Sequence, residues 1–396
     1  MKDNKFNLFL GLCALLFVAC ASNDVVPPSF YACSFSNPLN SASHPKAEIY
    51  QGLLEDYRKK GLVGATLLVR DKDGLWIGAD GKADIESDID LQACNSFLIA
   101  SISKVFTSAA VYRYIDKDIL SLEDPISQWL DPIFVEEVKN ADQAQIKHLL
   151  AHTSGIADYY TNAFELDRIN KVNNDWSKEE VLGYVFGKKA TNSVGQTYAY
   201  SNTNFLLLAM ILERASGLSF EEVYRQEVFA PLGLTTAYYN ERNPLPVGVV
   251  KGYVDIYGNG QFVESAFLYG DEIGIGGDGG IAINAFDLAT FFEEMMKGNL
   301  ISQSSLDRMT EWFDLPEDWH WDEFGQTESG FGIEKFNTPF GEAVGHSGGV
   351  DGFSSLALYF PEEDMTYILL VNSNGNAEGS EAEEALGLEV LEEMFR

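Results

Sequence analysis

Two pairs of apolar runs at opposite ends of the chain constrain its fold more than anything between them. Residues 62–70 and 75–79 flank Asp71-Lys72-Asp73-Gly74, and residues 354–360 and 365–371 flank Pro361-Glu362-Glu363-Asp364. An Asp-Gly step between apolar runs is a strong hairpin signal, and the second pair reads the same way. The long interval between the two pairs is mainly helical in pattern. The expectation is therefore an α/β (α+β) chain of two lobes, with one antiparallel sheet formed by both chain ends and an inserted, mainly helical lobe.

The helical punctuation is explicit. Ile49, Leu53 and Tyr57 recur every four residues and predict an amphipathic helix to about Lys60. Residues 145–151 read as a helix that stops in His152-Thr153-Ser154-Gly155. Ser177 with Glu180, and Ser219 with Glu222, are capping boxes. Residues 205–215 form an apolar helix closed by Gly217, and Leu288, Phe291, Phe292 and Met295 share one helical face. A terminal acidic helix over residues 377–395 turns Leu386, Val390 and Met394 inward.

At 396 residues and 46% apolar, the chain can bury one large core or two lobes. Its 60 acidic and 27 basic residues leave a net charge of −33, so nucleic acid and anionic membrane surfaces would meet repulsion. Lys2 and Lys5 precede a short apolar run, 6–18, ending in Phe17-Val18-Ala19-Cys20. That order describes a secretory leader over 1–19, too short to span a membrane permanently. The Ala19-Cys20 end resembles the lipobox of bacterial lipoproteins, with Phe17 where Leu is usual. It implies a protein exported to the cell envelope, lipidated on Cys20 and held to membrane by that anchor. Residues 20–45, rich in Ser, Asn and Pro, read as a flexible tether, and 46–396 as the folded domain. Cys33 and Cys94 can pair or stay free in an oxidising compartment. No Cys/His cluster has zinc spacing, and His148 with His152 lacks a partnering carboxylate motif.

Chemistry concentrates in three places. Ser101 and Lys104 stand three apart at an apolar helix start, so hydroxyl and amine share one face. A serine needs a neighbouring base, and burial among Leu98, Ile99, Val105 and Phe106 disfavours the ammonium form of Lys104. Ser43 and Lys46 have the same spacing but lie in the Pro-broken tail. Tyr200-Ser201-Asn202 offers a second proton acceptor and a carboxamide just before a buried helix. Tyr160, Tyr238 and Tyr257 also begin Tyr-x-Asn, in settings that read as turns. His346-Ser347-Gly348-Gly349 precedes a C-terminal strand, its glycines leaving room for a substrate along a sheet edge. Gly274-Ile275-Gly276-Gly277-Asp278-Gly279 matches Gly-x-Gly-x-x-Gly but reads as close backbone packing, since the following helix starts only at Asn284.

In this order the three elements resemble the serine penicillin-recognising, beta-lactamase-related family: class C beta-lactamases, DD-peptidases and related esterases. Asp116 to Pro125, Leu149 to Gly155, Gly279-Gly280-Ile281 and Gly345 to Phe353 are similar to this family's connecting segments. The resemblance implies a beta-lactamase/transpeptidase-like fold with the site between lobes. It implies an acyl-enzyme on Ser101, proton traffic shared by Lys104 and Tyr200, and substrate contacts from Asn202, His346, Gly348 and Gly349. The Ser101 and Gly349 amides would form an oxyanion hole. No metal or cofactor is implied; a small ester, amide or D-amino-acid peptide is the expected partner of a monomer. Two departures bear on substrate. His346 replaces the lysine of class C enzymes, and Glu334-Lys335 follows Gly330-Phe331-Gly332-Ile333 where some carboxypeptidases carry an arginine. Weak beta-lactamase or DD-carboxypeptidase activity is one alternative, and a catalytically silent penicillin-binding envelope protein another.

Overall fold

The computed structural model describes residues 27–35, 41–171, 176–239, 246–266, 275–375 and 377–396. The expected leader and Cys20 lie outside them. Among the described residues, no helix is long and apolar enough to cross a membrane.

Nine strands form one antiparallel sheet in the order Ile89–Asp90, Gly74–Asp84, Gly64–Asp71, Met365–Val371, Phe353–Phe360, Gly341–Val350, Glu334–Thr338, Gln326–Ser329, Phe313–Asp314. Both hairpins form as the turn residues dictate: Asp71 pairs with Gly74, and Phe360 with Met365. Ala65 stands opposite Val371, so the two chain ends meet in mid-sheet. Period-two alternation then divides the side chains. Leu67, Val69, Leu358, Tyr367 and Leu369 face one core with the helices Ala47–Arg58 and Ala377–Phe395. Leu68, Ala357, Ile368 and Leu370 face the other, which is continuous with the helical lobe. Each fully buried Leu, Ile or Val among them contributes about 1.5–3 kcal/mol.

The first helix presents Tyr50, Leu54 and Tyr57 inward, while Ile49 stays exposed. The predicted face is therefore displaced by one residue at its start. Tyr50 wins the inward position because its hydroxyl donates to buried Asp71 (2.7 Å) while its ring packs on Trp76. The segment read as a tether is docked wherever it is described. Cys33 is joined to Cys94, Tyr31 is buried, and Asn95 Nδ2 donates to the Tyr31 carbonyl (2.8 Å). His44, also buried, meets Asp71 at 2.9 Å. A polar composition concealed these few anchors.

Two helices form the heart of the inserted lobe. In Ser103–Ile115 every residue but Arg113 and Ile115 is buried, and Asn202–Ser216 ends on Gly217 in the left-handed conformation. Ser177 and Glu180 make their reciprocal cap, Ser219 caps through the Glu222 amide, and Asn284 caps Ala285–Met296. A small sheet joins Ser96–Leu98 to Ile281–Asn284, which also pairs with Tyr238–Tyr239. It delivers the chain to Ser101.

Candidate active site

Ser101 sits on the 3-10 turn Ala100–Ile102, immediately before the helix Ser103–Ile115. Ala100 has φ +45°, a conformation costing a non-glycine residue about 1–3 kcal/mol. The surroundings hold it. The Ile99 amide donates to the Ile281 carbonyl (3.0 Å), and Ser355 Oγ donates to the Ile99 carbonyl (3.1 Å). Gly348 presses on the same turn: a Cβ there would lie 2.3 Å from the Ile99 oxygen and 3.1 Å from the Ser101 nitrogen. Only glycine allows that approach.

Lys104 Nζ donates to Ser101 Oγ (3.1 Å) and to the Asp278 carbonyl (2.7 Å). Its side chain is buried, and desolvation pulls its pKa down to about 8 against the opposing pull of Asp278, Asp158 and Glu334. Asp278 comes from the Gly-rich stretch, whose glycines admit close packing: Gly277 lies against Thr107 and Phe205.

Tyr200 closes the third side. Its phenol is hydrogen-bonded to Ser101, and its ring centroid lies 5.0 Å from Lys104 Nζ. Burial pushes the phenol well above its ordinary range, with the Ser101 bond pulling the other way. The ring stacks on His152 (4.3 Å between centroids, 22°) and lies near-parallel to Trp319 (6.2 Å, 28°). His152 Nδ1 accepts from the Ser201 amide at 3.1 Å, fixing the loop that carries Tyr200. Burial first, then Lys104 and His346, keep His152 neutral. Asn202 is present but engaged: Nδ2 donates to Asp158 Oδ2 (3.0 Å), and its amide donates to Asp158 Oδ1 (3.1 Å).

His346 lies on the strand Gly341–Val350. The neighbouring strand pairs with it only as far as Gly345, opposite Glu334, so residues 346–350 have no strand partner on that edge among the described residues. The Ser347 amide instead donates to the Glu334 carboxyl, and its carbonyl is bonded to His346 Nδ1. Alternation turns the Gly349 amide to the same edge. A Cβ on Gly349 would meet no atom within 4 Å, on the face of the strand opposite the one that Gly348 turns to Ser101. His346 is buried and pushed down to about 3 by desolvation, and Glu334 is pushed up to about 8 by the same cause. Both are neutral at pH 7. Lys335 points away, to Glu328 (3.0 Å) and Glu342 (3.5 Å), and supplies no carboxylate clamp.

The structure thus brings Lys104, Tyr200 and Gly348 onto Ser101, with His346 and Gly349 on the same strand as Gly348 and Asn202 two residues from Tyr200, held by Asp158. It adds His152, Asp158, Asp278 and Trp319, which the sequence alone did not mark as parts of the site. His148 is separate, its Nδ1 accepting from the Gln145 amide (3.0 Å) at a helix start. No group of three or more His, Cys, Asp or Glu that could hold a metal occurs among the described residues.

A family model for beta-lactamase matches residues 49–392. The chain belongs to the beta-lactamase family. It is a serine hydrolase whose ordered boxes agree with that match. Penicillin-binding protein 4* of Bacillus subtilis is 29% identical over 85% of this chain and 74% of its own length. A putative penicillin-binding protein of the same organism is 25% identical over 65% of this chain and 61% of its own. A D-stereospecific amidohydrolase from Streptomyces shares the fold, with TM-score 0.75 at 23% identity over 85% of this chain and 97% of that one. The octameric penicillin-binding protein homologue of Pyrococcus abyssi superposes with TM-score 0.71 at 25% identity, over 87% of this chain and 77% of its own.

Proposed function

We propose that Ser101 attacks the carbonyl carbon of a small ester or amide, D-amino-acid derivatives of the cell envelope among them. The hydroxyl proton passes to neutral Lys104 or through the Tyr200 phenol, the leaving group departs with a proton, and water then releases the acyl group from Ser101 by the reverse traffic. The Ser101 and Gly349 amides stabilise the oxyanion as preorganised dipoles. One observation carries the reading: the 3.1 Å contact from Lys104 Nζ to Ser101 Oγ, made by a lysine whose pKa is about 8. At pH 7 about one lysine in ten is then the free base. Kinship with penicillin-binding protein 4*, and the fold shared with a D-stereospecific amidohydrolase, support D-amino-acid substrates.

Beta-lactam hydrolysis and DD-carboxypeptidase action are weaker readings here. Both ask for a cation facing the substrate carboxylate, whereas Glu334 and neutral His346 occupy that part of the cleft and Lys335 is held by Glu328. A silent binding protein has no use for a lysine buried at a cost beside a serine. Turnover of D-alanine p-nitroanilide, of its L-enantiomer and of a chromogenic cephalosporin tests the choice. D-selective amide hydrolysis outpacing the cephalosporin supports the reading; the reverse order overturns it.

The leader and Cys20 support export and a lipid anchor in the cell envelope. Membrane partitioning of wild type that is lost in Cys20→Ser is the expected result. A monomer is the expected state, and light scattering distinguishes it from an assembly like that of the Pyrococcus homologue.

A further inference from the structure

The free edge beside Gly349 is short. At one end, Glu334 and His346 already occupy the amide and carbonyl of Ser347. At the other, the strand turns at Asp351-Gly352, and Asp351 Oδ2 accepts from Arg168 Nη2 at 2.7 Å. Arg168 belongs to the helix Asn162–Asn170 of the inserted lobe, so this ion pair crosses from one lobe to the other, two residues past Gly349. It is well shielded, with side-chain exposures of 12% and 27%. Arg168 also donates to the Tyr160 hydroxyl (3.3 Å), and the Tyr160 amide donates to Asp158 (3.1 Å), the carboxylate that holds Asn202. The clasp is therefore continuous with the wall of the site.

We infer that the Arg168–Asp351 pair is a specificity determinant that closes the cleft beyond Gly349 and limits the length of substrate on one side of the reacting carbonyl. A substrate lying along the edge with its oxygen at the Gly349 amide meets the clasp two residues further along the strand. The site then takes a carbonyl close to a chain end, and extended polymers are excluded. This inference rests on the hydrolase reading above.

The test measures kcat/KM for two ester series, one lengthening the acyl group from p-nitrophenyl acetate to p-nitrophenyl octanoate, the other enlarging the phenol of an acetate ester. In Arg168→Ala the long-to-short ratio should rise about tenfold in one series and stay unchanged in the other. The charge-reversed pair Arg168→Asp with Asp351→Arg should restore the wild-type ratio, which a folding defect would not. Unchanged ratios in both series, or an equal fall for short and long substrates, would overturn the gate and leave the pair as a structural tie. If wild type turns over no acetate ester and Ser101 takes no acyl label, the hydrolase reading fails and the gate with it.

Discussion

The Nε2 atom of His346 lies 3.5 Å from Oε1 of Glu334, and both side chains are buried. Neither is charged at neutral pH, because desolvation moves the histidine down to about 3 and the acid up to about 8. Above pH 8, Glu334 becomes a carboxylate beside the His346 imidazole. The ratio of kcat/KM for an anionic over a neutral substrate should fall through that pH in wild type. In Glu334→Gln the fall should be smaller, leaving only the share due to Lys104, which loses its positive charge over the same range. His346→Lys alone should gain little on anionic substrates, its ammonium being taken by Glu334. With Glu334→Gln added, the gain should reach about tenfold, as attraction worth about 1–2 kcal/mol requires.

Lys104 is held in a state that costs stability. Its pKa is about 8 in the native state and near 10.5 unfolded, so between those values the unfolded chain binds more protons and native stability rises with pH. Below pH 8 the full penalty applies, of order 3 kcal/mol before the loss of two hydrogen bonds is counted. Lys104→Met should be inactive, yet more stable than wild type by about 1–2 kcal/mol at pH 7. The advantage should shrink toward pH 10. Urea melts at the two pH values measure both.

The hairpins, the capped helices and the order of the three boxes were legible because each follows from local chemistry: turn residues, caps and an apolar flank. Tyr50 displaced the expected helix face because Asp71, distant in sequence, supplies its hydrogen-bond partner. Among the anchors of the N-terminal segment, the Cys33–Cys94 pair was open to the sequence as a possibility, whereas Tyr31 and His44 were not, since a single buried ring leaves no period. In the site, spacing alone left Ser101 with Lys104 level with Ser43 and Lys46, and Tyr200 level with three other Tyr-x-Asn; an apolar helix start, a following buried helix and the family resemblance singled them out. His152, Asp158, Asp278 and Trp319 were not singled out, because they act by packing against those residues from distant segments. His152 was visible as a member of the His-Thr-Ser-Gly run and as a metal pairing with His148 that lacked a carboxylate; its role as a platform for Tyr200 needs the 4.3 Å stack to be seen.

Trp319, 44% exposed, lies near-parallel to Tyr200 (6.2 Å) and packs edge-on against Tyr198 (5.6 Å). An aromatic contact of this kind contributes about 0.5–1.5 kcal/mol. Trp319→Ala should lower kcat several-fold for short esters and amides alike, with a melting temperature within a few degrees of wild type. Trp319→Phe should recover most of the rate. A change confined to KM would mean that Trp319 contacts substrate and does not steady Tyr200.

The Cys33–Cys94 bond closes a 61-residue separation and fastens residues 27–35 beside Asn95. By loop entropy such a crosslink is worth about 4 kcal/mol at most. Cys33→Ser should lower stability by about 2–4 kcal/mol and expose the segment to proteolysis, with esterase activity at low temperature retained.

Covalent capture of Ser101 at its hydroxyl, here by phosphonylation with loss of fluoride, is the most direct measurement. Wild type and Ser101→Ala, both shown to be folded by circular dichroism, are treated with a fluorophosphonate probe, digested and mapped by mass spectrometry. The account predicts one stoichiometric adduct on the peptide containing Ser101 in wild type. It predicts none in Ser101→Ala and a greatly slowed reaction in Lys104→Met. Labelling that persists in Ser101→Ala, or folded wild type that takes up no probe, would contradict it.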